Sequence, residues 1–172
     1  SDQEVAVHLR LETFDSGYEL YRDAACSWID GPAGGGWLGR SFGKQTLEVA
    51  LDDFDLDEPL PYGPVLSILS VKHVAADGAE AVVQPASYYL ADDRIHLTPG
   101  AAWPTSRGDV GGVRIRYQAG GEKVPPSVKQ AALLMVGQWF RNRMAVNTGN
   151  LSVTEMPFGV EALLAPFRKW RI

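Results

Sequence analysis

Several short patterns in this chain carry residue types that could do chemistry, and each needs a particular backbone setting to do it. Gly34-Gly35-Gly36-Trp37-Leu38-Gly39 spells G-x-G-x-x-G. A dinucleotide site of that pattern needs a strand before the glycines and a helix N-terminus after them, so that free N–H groups and the helix dipole meet the pyrophosphate. Here a helical pattern precedes and a β-type run follows, so the glycines are expected to form a helix-to-sheet connector. Gly39-Arg40-Ser41-Phe42-Gly43 spells G-x-S-x-G, with Asp92 and His96 later in the order an α/β-hydrolase triad uses. That nucleophile elbow needs a sharp strand-to-helix turn in a parallel sheet with helical crossovers, whereas this region offers short strands joined by turns. A small serine hydrolase using Ser41 stands as the enzymatic alternative. Gly43-Lys44 ends like a phosphate loop, but Leu38 sits where its first glycine belongs and Gln45 replaces the Ser or Thr that would hold magnesium.

The stretch Asp52-Asp53-Phe54-Asp55-Leu56-Asp57-Glu58 contains D-x-D-x-D, the opening of a calcium loop. Counting from Asp53, Glu58 falls on the turn glycine and Pro64 on the bidentate glutamate, so the loop cannot close around calcium, and a solvated acidic loop is expected. His8, His73 and His96 lie in separate elements without an i, i+4 partner and read as structural. A single cysteine, Cys26, excludes an internal disulfide and a cysteine-rich zinc site; a buried, reduced thiol is expected. No catalytic, cofactor or metal residue is assigned, and the chain is expected not to be an enzyme.

The elements that would position any site come from a chain of 172 residues, 45% hydrophobic and 22% charged, long enough to bury one sizeable core. The 5 Trp, 6 Tyr and 6 Phe argue against disorder, and they favour a monomeric carbohydrate- or peptide-binding β module as the binding alternative. A net charge of -5 disfavours a protein whose main work is gripping phosphates. No apolar run approaches the ~20 residues that cross a bilayer, and the polar start lacks the layout of a secretion signal. A cytosolic protein without a membrane partner is expected.

Ser1 and Glu4 have the spacing of a capping box, followed by Val5, His8 and Leu9 at helical spacing. A second helix, capped by Asp15 or Ser16, places Tyr18, Tyr21, Ala25, Trp28 and Ile29 on one face until Gly31-Pro32. β-type runs then span 45–51, 65–74, 80–83, 87–90, 94–97 and 113–117, with Asp77-Gly78 as a tight turn. In the last run Val113, Ile115 and Tyr117 alternate with Arg114 and Arg116, which predicts a half-buried strand. Pro125-Pro126-Ser127 opens the strongest helix, over 128–144. Val128, Ala132, Met135 and Trp139 line one stripe of it, and Leu133, Val136 and Phe140 another, so it must be covered on two sides. Either its own fold or a neighbouring subunit could do this. A short helix follows that Pro166 ends near Ala165, then the basic, aromatic tail Phe167-Arg168-Lys169-Trp170-Arg171-Ile172. That tail docks either on its own domain or on a partner protein.

Taken in order, certain segments resemble a known family. They are His8-Leu9-Arg10-Leu11-Glu12 in the first helix; 24–30 in the second; Pro64-Val65-Leu66-Ser67-Ile68; Asp77-Gly78-Ala79-Glu80; Ile95-His96-Leu97 with Trp103-Pro104; 113–120; Val124-Pro125 with Lys129-Gln130-Ala131; and 157–168, including Gly159-Val160-Glu161-Ala162-Leu163-Leu164-Ala165-Pro166-Phe167-Arg168. The sequence resembles phage head-tail connector (head-to-tail adaptor) proteins, of the group that inserts β-strands into a small helical protein and also occurs in gene transfer agents. It departs from the pattern at Gly34-Gly35-Gly36 and at the acidic stretch 52–58, both in loops.

The resemblance implies an α+β fold: a small helical bundle, made of an N-terminal helical hairpin and C-terminal helices, with an inserted antiparallel β region. One connector domain would span 1–172, divided into a hairpin over 1–31, the β insertion over 44–118, the long helix over 126–146 and a C-terminal helix and tail over 157–172. It further implies a homo-oligomeric ring, expected to be twelve, assembled in the bacterial cytoplasm and resident in the neck of a virion or phage-like particle. The ring would bind the portal protein on one face and a tail or stopper protein on the other, with DNA passing transiently through the middle. The portal or subunit interface is expected at Phe158, Leu163, Leu164, Phe167, Arg168, Lys169, Trp170 and Arg171. Leu163, Leu164, Phe167 and Trp170 would be apolar anchors there, while Arg168, Lys169 and Arg171 would meet acidic groups.

Overall fold

The computed structural model describes residues 1–10, 17–32, 37–121, 123–141 and 158–169. Helix α1, Asp2–Leu9, starts at the expected capping box: the Ser1 side chain accepts from the Glu4 N–H, and the Glu4 side chain reaches back to the cap. It stops at Leu9 because Arg10 turns left-handed, at φ 54 and ψ 43. Of the segment 8–12, assigned from the sequence to the first helix, His8 and Leu9 are helical and Arg10 is the C-cap, while Leu11 and Glu12 lie outside the described residues. Helix α2, Tyr18–Ile29, has Gly17 at its N-cap with no side-chain hydrogen bond, in place of Asp15 or Ser16, which lie outside the described residues. Tyr18, Ala25 and Ile29 are buried and Tyr21 and Trp28 half-buried, as the helical spacing predicts. Cys26 corrects an expectation: it is exposed, because Ala25 takes the inward position and the next residue turns about 100° away.

Helix α3, Pro126–Arg141, begins with proline at its first position, where the missing N–H is no loss; its expected continuation to 144 lies outside the described residues. Val128, Ala131, Met135, Val136 and Gly137 are buried, and Lys129 and Gln130 form its exposed strip. Helix α4, Phe158–Leu164, passes into a 3-10 turn at Ala165–Phe167 that contains Pro166. Of the two coverings open to the long helix, the structure shows the internal one, since α1, α2 and α4 all pack on α3. Of the two stripes, Val128, Met135 and Val136 are buried, while Ala132, Leu133, Trp139 and Phe140 are half-buried. Lys129 Nζ pairs with Glu4 Oε1 at 2.8 Å, and Tyr21 meets Phe140 edge-on at 6.2 Å.

The β elements are β1 Gln45–Leu51, β2 Val65–Val74, β3 Glu80–Val82, β4 Tyr88–Ala91, β5 Arg94–Leu97 and β6 Val113–Ala119. A four-stranded antiparallel sheet runs in the order β1-β6-β2-β3, and β4 pairs with β5 as a separate hairpin. Asp77-Gly78 makes the turn between β2 and β3: the Gly78 N–H donates to the Ala75 carbonyl at 2.8 Å, and Gly78 has a φ of +86. Strand β4 starts one residue later than the sequence suggests because Pro85–Ser87 form a 3-10 turn. Strand β6 runs two residues longer than expected, to Ala119. Its alternation is as expected, with Val113, Ile115, Tyr117 and Ala119 buried and Arg114 and Arg116 exposed. Those four inward residues form the core with Leu60, Val71, Val83, Tyr88 and Ile95. The Tyr117 hydroxyl donates to the Pro61 carbonyl at 2.7 Å, which gives its buried polar end a partner.

The fold is α+β, a helical bundle carrying an inserted antiparallel β region. Its two compact units are Ser1–Gly39 with Val124–Ile172, which hold the helices, and Arg40–Lys123, which holds every described strand. No helix among the described residues is long and apolar enough to cross a membrane.

Candidate interaction surfaces

The closing segment is built on the spacing of α4. Val160 and Leu164, four apart, point together into the helical unit and are fully buried, while Glu161 and Ala162 face outward. Beyond the 3-10 turn, the Arg168 guanidinium lies over the Trp37 ring, 4.8 Å from its centroid, and Trp37 in turn stacks on Trp28 at 5.1 Å. Arg168 thus closes a three-layer stack of the kind a planar cation favours. The Lys169 N–H donates to the Leu38 carbonyl at 2.9 Å. Gly39, at φ +65, lets the two backbones come this close: a Cβ there would stand 2.8 Å from the Lys169 carbonyl oxygen.

The residues expected at an interface therefore separate. Leu163 and Phe167 are half-buried and Lys169 is exposed. Leu164 is a core residue of its own unit, because it shares the inward face with Val160. Arg168 is half-buried against Trp37. Phe158 opens α4, but its side chain lies outside the described residues, as do Trp170 and Arg171. As far as Lys169, the segment docks on its own unit, the first of the two possibilities open from the sequence.

The catalytic patterns are not assembled. Ser41 is 1% exposed and its hydroxyl has no hydrogen-bond partner, whereas a serine nucleophile needs a base within reach. Its N–H donates to the Tyr62 carbonyl at 3.0 Å, which gives it a structural place beside the Arg40–Tyr62 bridge. His96 instead stacks on Tyr89 at 5.4 Å, and Asp92 sits in the β4–β5 turn with a φ of 51. Of the G-x-G-x-x-G stretch, Gly34, Gly35 and Gly36 lie outside the described residues. Among the described residues no group of His, Cys, Asp or Glu could hold a metal ion.

The acidic stretch has a form that the sequence did not disclose. Phe54 and Leu56 turn inward onto the sheet core, and Phe54 stacks flat on Trp103 at 4.9 Å with 6° between the rings. Tyr88 also stacks on Trp103, at 6.2 Å. Asp53, Asp55, Asp57 and Glu58 consequently face solvent, and the Asp52 carboxylate accepts the Gly111 N–H at 2.9 Å. A shallow groove of about 500 Å³ opens beside it, lined by Phe54, Asp57, Arg94, His96 and Trp103 among others. The Trp103-Pro104 pair was visible in the sequence, but nothing local announces that its partner lies 49 residues earlier.

No family model matches the chain, and no curated protein matches it. Solved structures do. A chain from the neck of an empty GTA particle, computed with C6 symmetry, and a chain from the virion of the native gene transfer agent (GTA) particle are each 27% identical, with a TM-score of 0.71 over 99% of this chain and 89% of theirs. A chain from the neck of the native GTA particle, computed with C12 symmetry, is 26% identical, with a TM-score of 0.67 over 97% of this chain and 89% of its own. The likeness covers nearly the whole chain, so it takes in the helices and the β insertion alike.

Proposed function

We propose that this chain is a structural neck component of a phage or gene transfer agent particle, and specifically a head-to-tail connector subunit. Copies form a ring between the portal and the tail or stopper protein, and DNA passes through the middle. The observation that carries this reading is the end-to-end likeness, at 27% identity and a TM-score of 0.71, to a chain of a GTA particle neck. A ring of twelve accords with both solved necks, since a twelvefold axis contains the sixfold one. The two units act as one connector domain over 1–172. The net charge of -5 supports a channel wall that DNA passes without adhering. The role is non-enzymatic, supported by a Ser41 hydroxyl that no base touches.

In this reading the closing segment is the portal- or subunit-facing element, through Phe158, Leu163, Phe167, Lys169, Trp170 and Arg171, with Arg168 holding it in place. A truncation after Pro157 would also remove the core residues Val160 and Leu164, so it would confuse folding with binding. The sharper test keeps α4 whole. The full chain, expressed in cells that make the particles, is expected to co-purify with portal-containing heads at about twelve copies per head. Lys169→Glu combined with removal of 170–172 is expected to lower that occupancy. Heads and particles that never contain the chain would refute the assignment, and heads that take up the shortened variant fully would make the closing segment a mere appendage.

A further inference from the structure

The outer face of the four-stranded sheet carries three cations, Lys72, Arg114 and Arg116, beside two carboxylates, Glu48 and Glu80, in a chain that is negative overall. Arg114 and Arg116 project from the central strand β6, both exposed, and neither has an ion-pair partner among the described residues. Lys72 of β2 stands directly opposite Arg114, with Ala50 of β1 on the other side. Like charges opposed across strands weaken a sheet, and the small Ala50 leaves the guanidinium uncovered. Lys72 is tethered to Glu80 at 2.6 Å. Beside it Val82 is 59% exposed, which adds an apolar edge to the patch.

The same unit carries the complementary surface. Asp53, Asp55, Asp57 and Glu58 are all exposed, and none forms an ion pair among the described residues. The loop that bears them is already shaped, because Phe54 and Leu56 pin it to the core and the Phe54–Trp103 stack fixes its direction. A preformed ridge of carboxylates loses little freedom on binding, and guanidinium forks pair with carboxylates bidentately. Within one copy the two surfaces do not meet, since no loop carboxylate reaches Arg114 or Arg116. Two different, complementary patches on one subunit make a head-to-tail contact, the kind that closes into a ring.

We infer that the acidic loop 52–58 of one copy docks on the Lys72, Arg114 and Arg116 face of the next, and that this contact is part of the lateral interface of the ring. The inference rests on the connector reading above. DNA is the other polyanion such a face could meet. Glu48, opposite Arg116, and Glu80 on Lys72 interrupt the positive surface, which suits a short acidic segment better than a continuous phosphate track.

The test uses the full chain and counts copies on portal-containing heads. Arg114→Glu with Arg116→Glu, and separately Asp53→Lys with Asp55→Lys, change exposed side chains only, and circular dichroism checks that each variant folds. Each pair is expected to reduce occupancy at limiting protein by about tenfold, and the four changes together to restore most of it. Wild-type chain on heads with both variants bound at the wild-type level would overturn this interface while leaving the connector reading intact. Wild-type chain absent from heads would instead sink the connector reading itself. Loss with the arginine pair that the combined variant fails to restore assigns the face to the portal, and unchanged occupancy with poorer DNA retention assigns it to phosphate. Either result overturns the inference.

Discussion

Gly39→Ala should release the closing segment without unfolding the protein. Gly39 sits at φ +65, where an L-residue with a Cβ costs about 1–2 kcal/mol. The new Cβ would also stand 2.8 Å from the Lys169 carbonyl oxygen, a backbone atom that can yield only if residues 168–169 move away. That movement breaks the bond from the Lys169 N–H to the Leu38 carbonyl, worth about 1 kcal/mol. The sum, about 2–3 kcal/mol, raises the local opening constant by roughly 30- to 150-fold, well short of the stability of a typical domain. Amide hydrogen exchange at Lys169 reads it directly, with Ile115 of β6 as an internal reference that should not change. Equal protection of Lys169 in wild type and variant would refute the close approach as the device that seats the segment. Arg168→Ala should act in the same direction but more weakly, because a cation–π contact at a partly exposed site contributes about 0.5–1 kcal/mol.

Ile115→Ala empties a fully buried position in the sheet core and should cost about 2–5 kcal/mol, read from the urea midpoint; a change below 1 kcal/mol would contradict the assigned core. Ser41→Ala removes a buried hydroxyl without a partner, so stability should hold or rise slightly, and hydrolysis of generic esters should not differ between the two proteins. The Glu4 carboxyl is held at about 2, below its ordinary 4.5, by its pairing with Lys129 first and by the amino terminus and Ser1 after that. A carboxyl depressed in the folded state stabilises fully above its unfolded value and loses that contribution as pH falls through the folded one. The tie between α1 and α3 should thus weaken from about pH 4.5 towards pH 2, and Lys129→Met should flatten the pH dependence of the urea midpoint across that window.

What the sequence disclosed was local. β1, β2 and β5 have the bounds that side-chain alternation assigns them, and the capping box of α1 and the Asp77-Gly78 turn depend only on neighbours in the chain. β4 shifted by one residue because Pro85 favours a 3-10 turn over a strand start. The order β1-β6-β2-β3 is not local: β6 slots between two strands that lie far earlier in the chain, ending at Leu51 and Val74, and no turn signal encodes that choice. The Trp28–Trp37–Arg168 stack was hidden for the same reason, as it joins α2 to the far end of the chain. Two errors were avoidable. Val160 and Leu164 are four apart on a short helix, a spacing that marks Leu164 as inward beside Val160, and Cys26 follows the inward Ala25 and must turn out.

The helical unit is drawn from both sides of the β insertion, and that has a consequence for biogenesis. On the ribosome, residues 40–123 emerge as a contiguous set and can close their sheet at once. Helices α1 and α2 emerge earlier but must wait for α3, the helix on which both pack, before Tyr18, Ala25 and Ile29 are covered. A polypeptide released before residue 124 would bear a finished sheet and a bare apolar hairpin, the sort of surface that chaperones and proteases seize. Translation itself thereby sets the order of completion, because the helical body seals only when its last-made helices arrive.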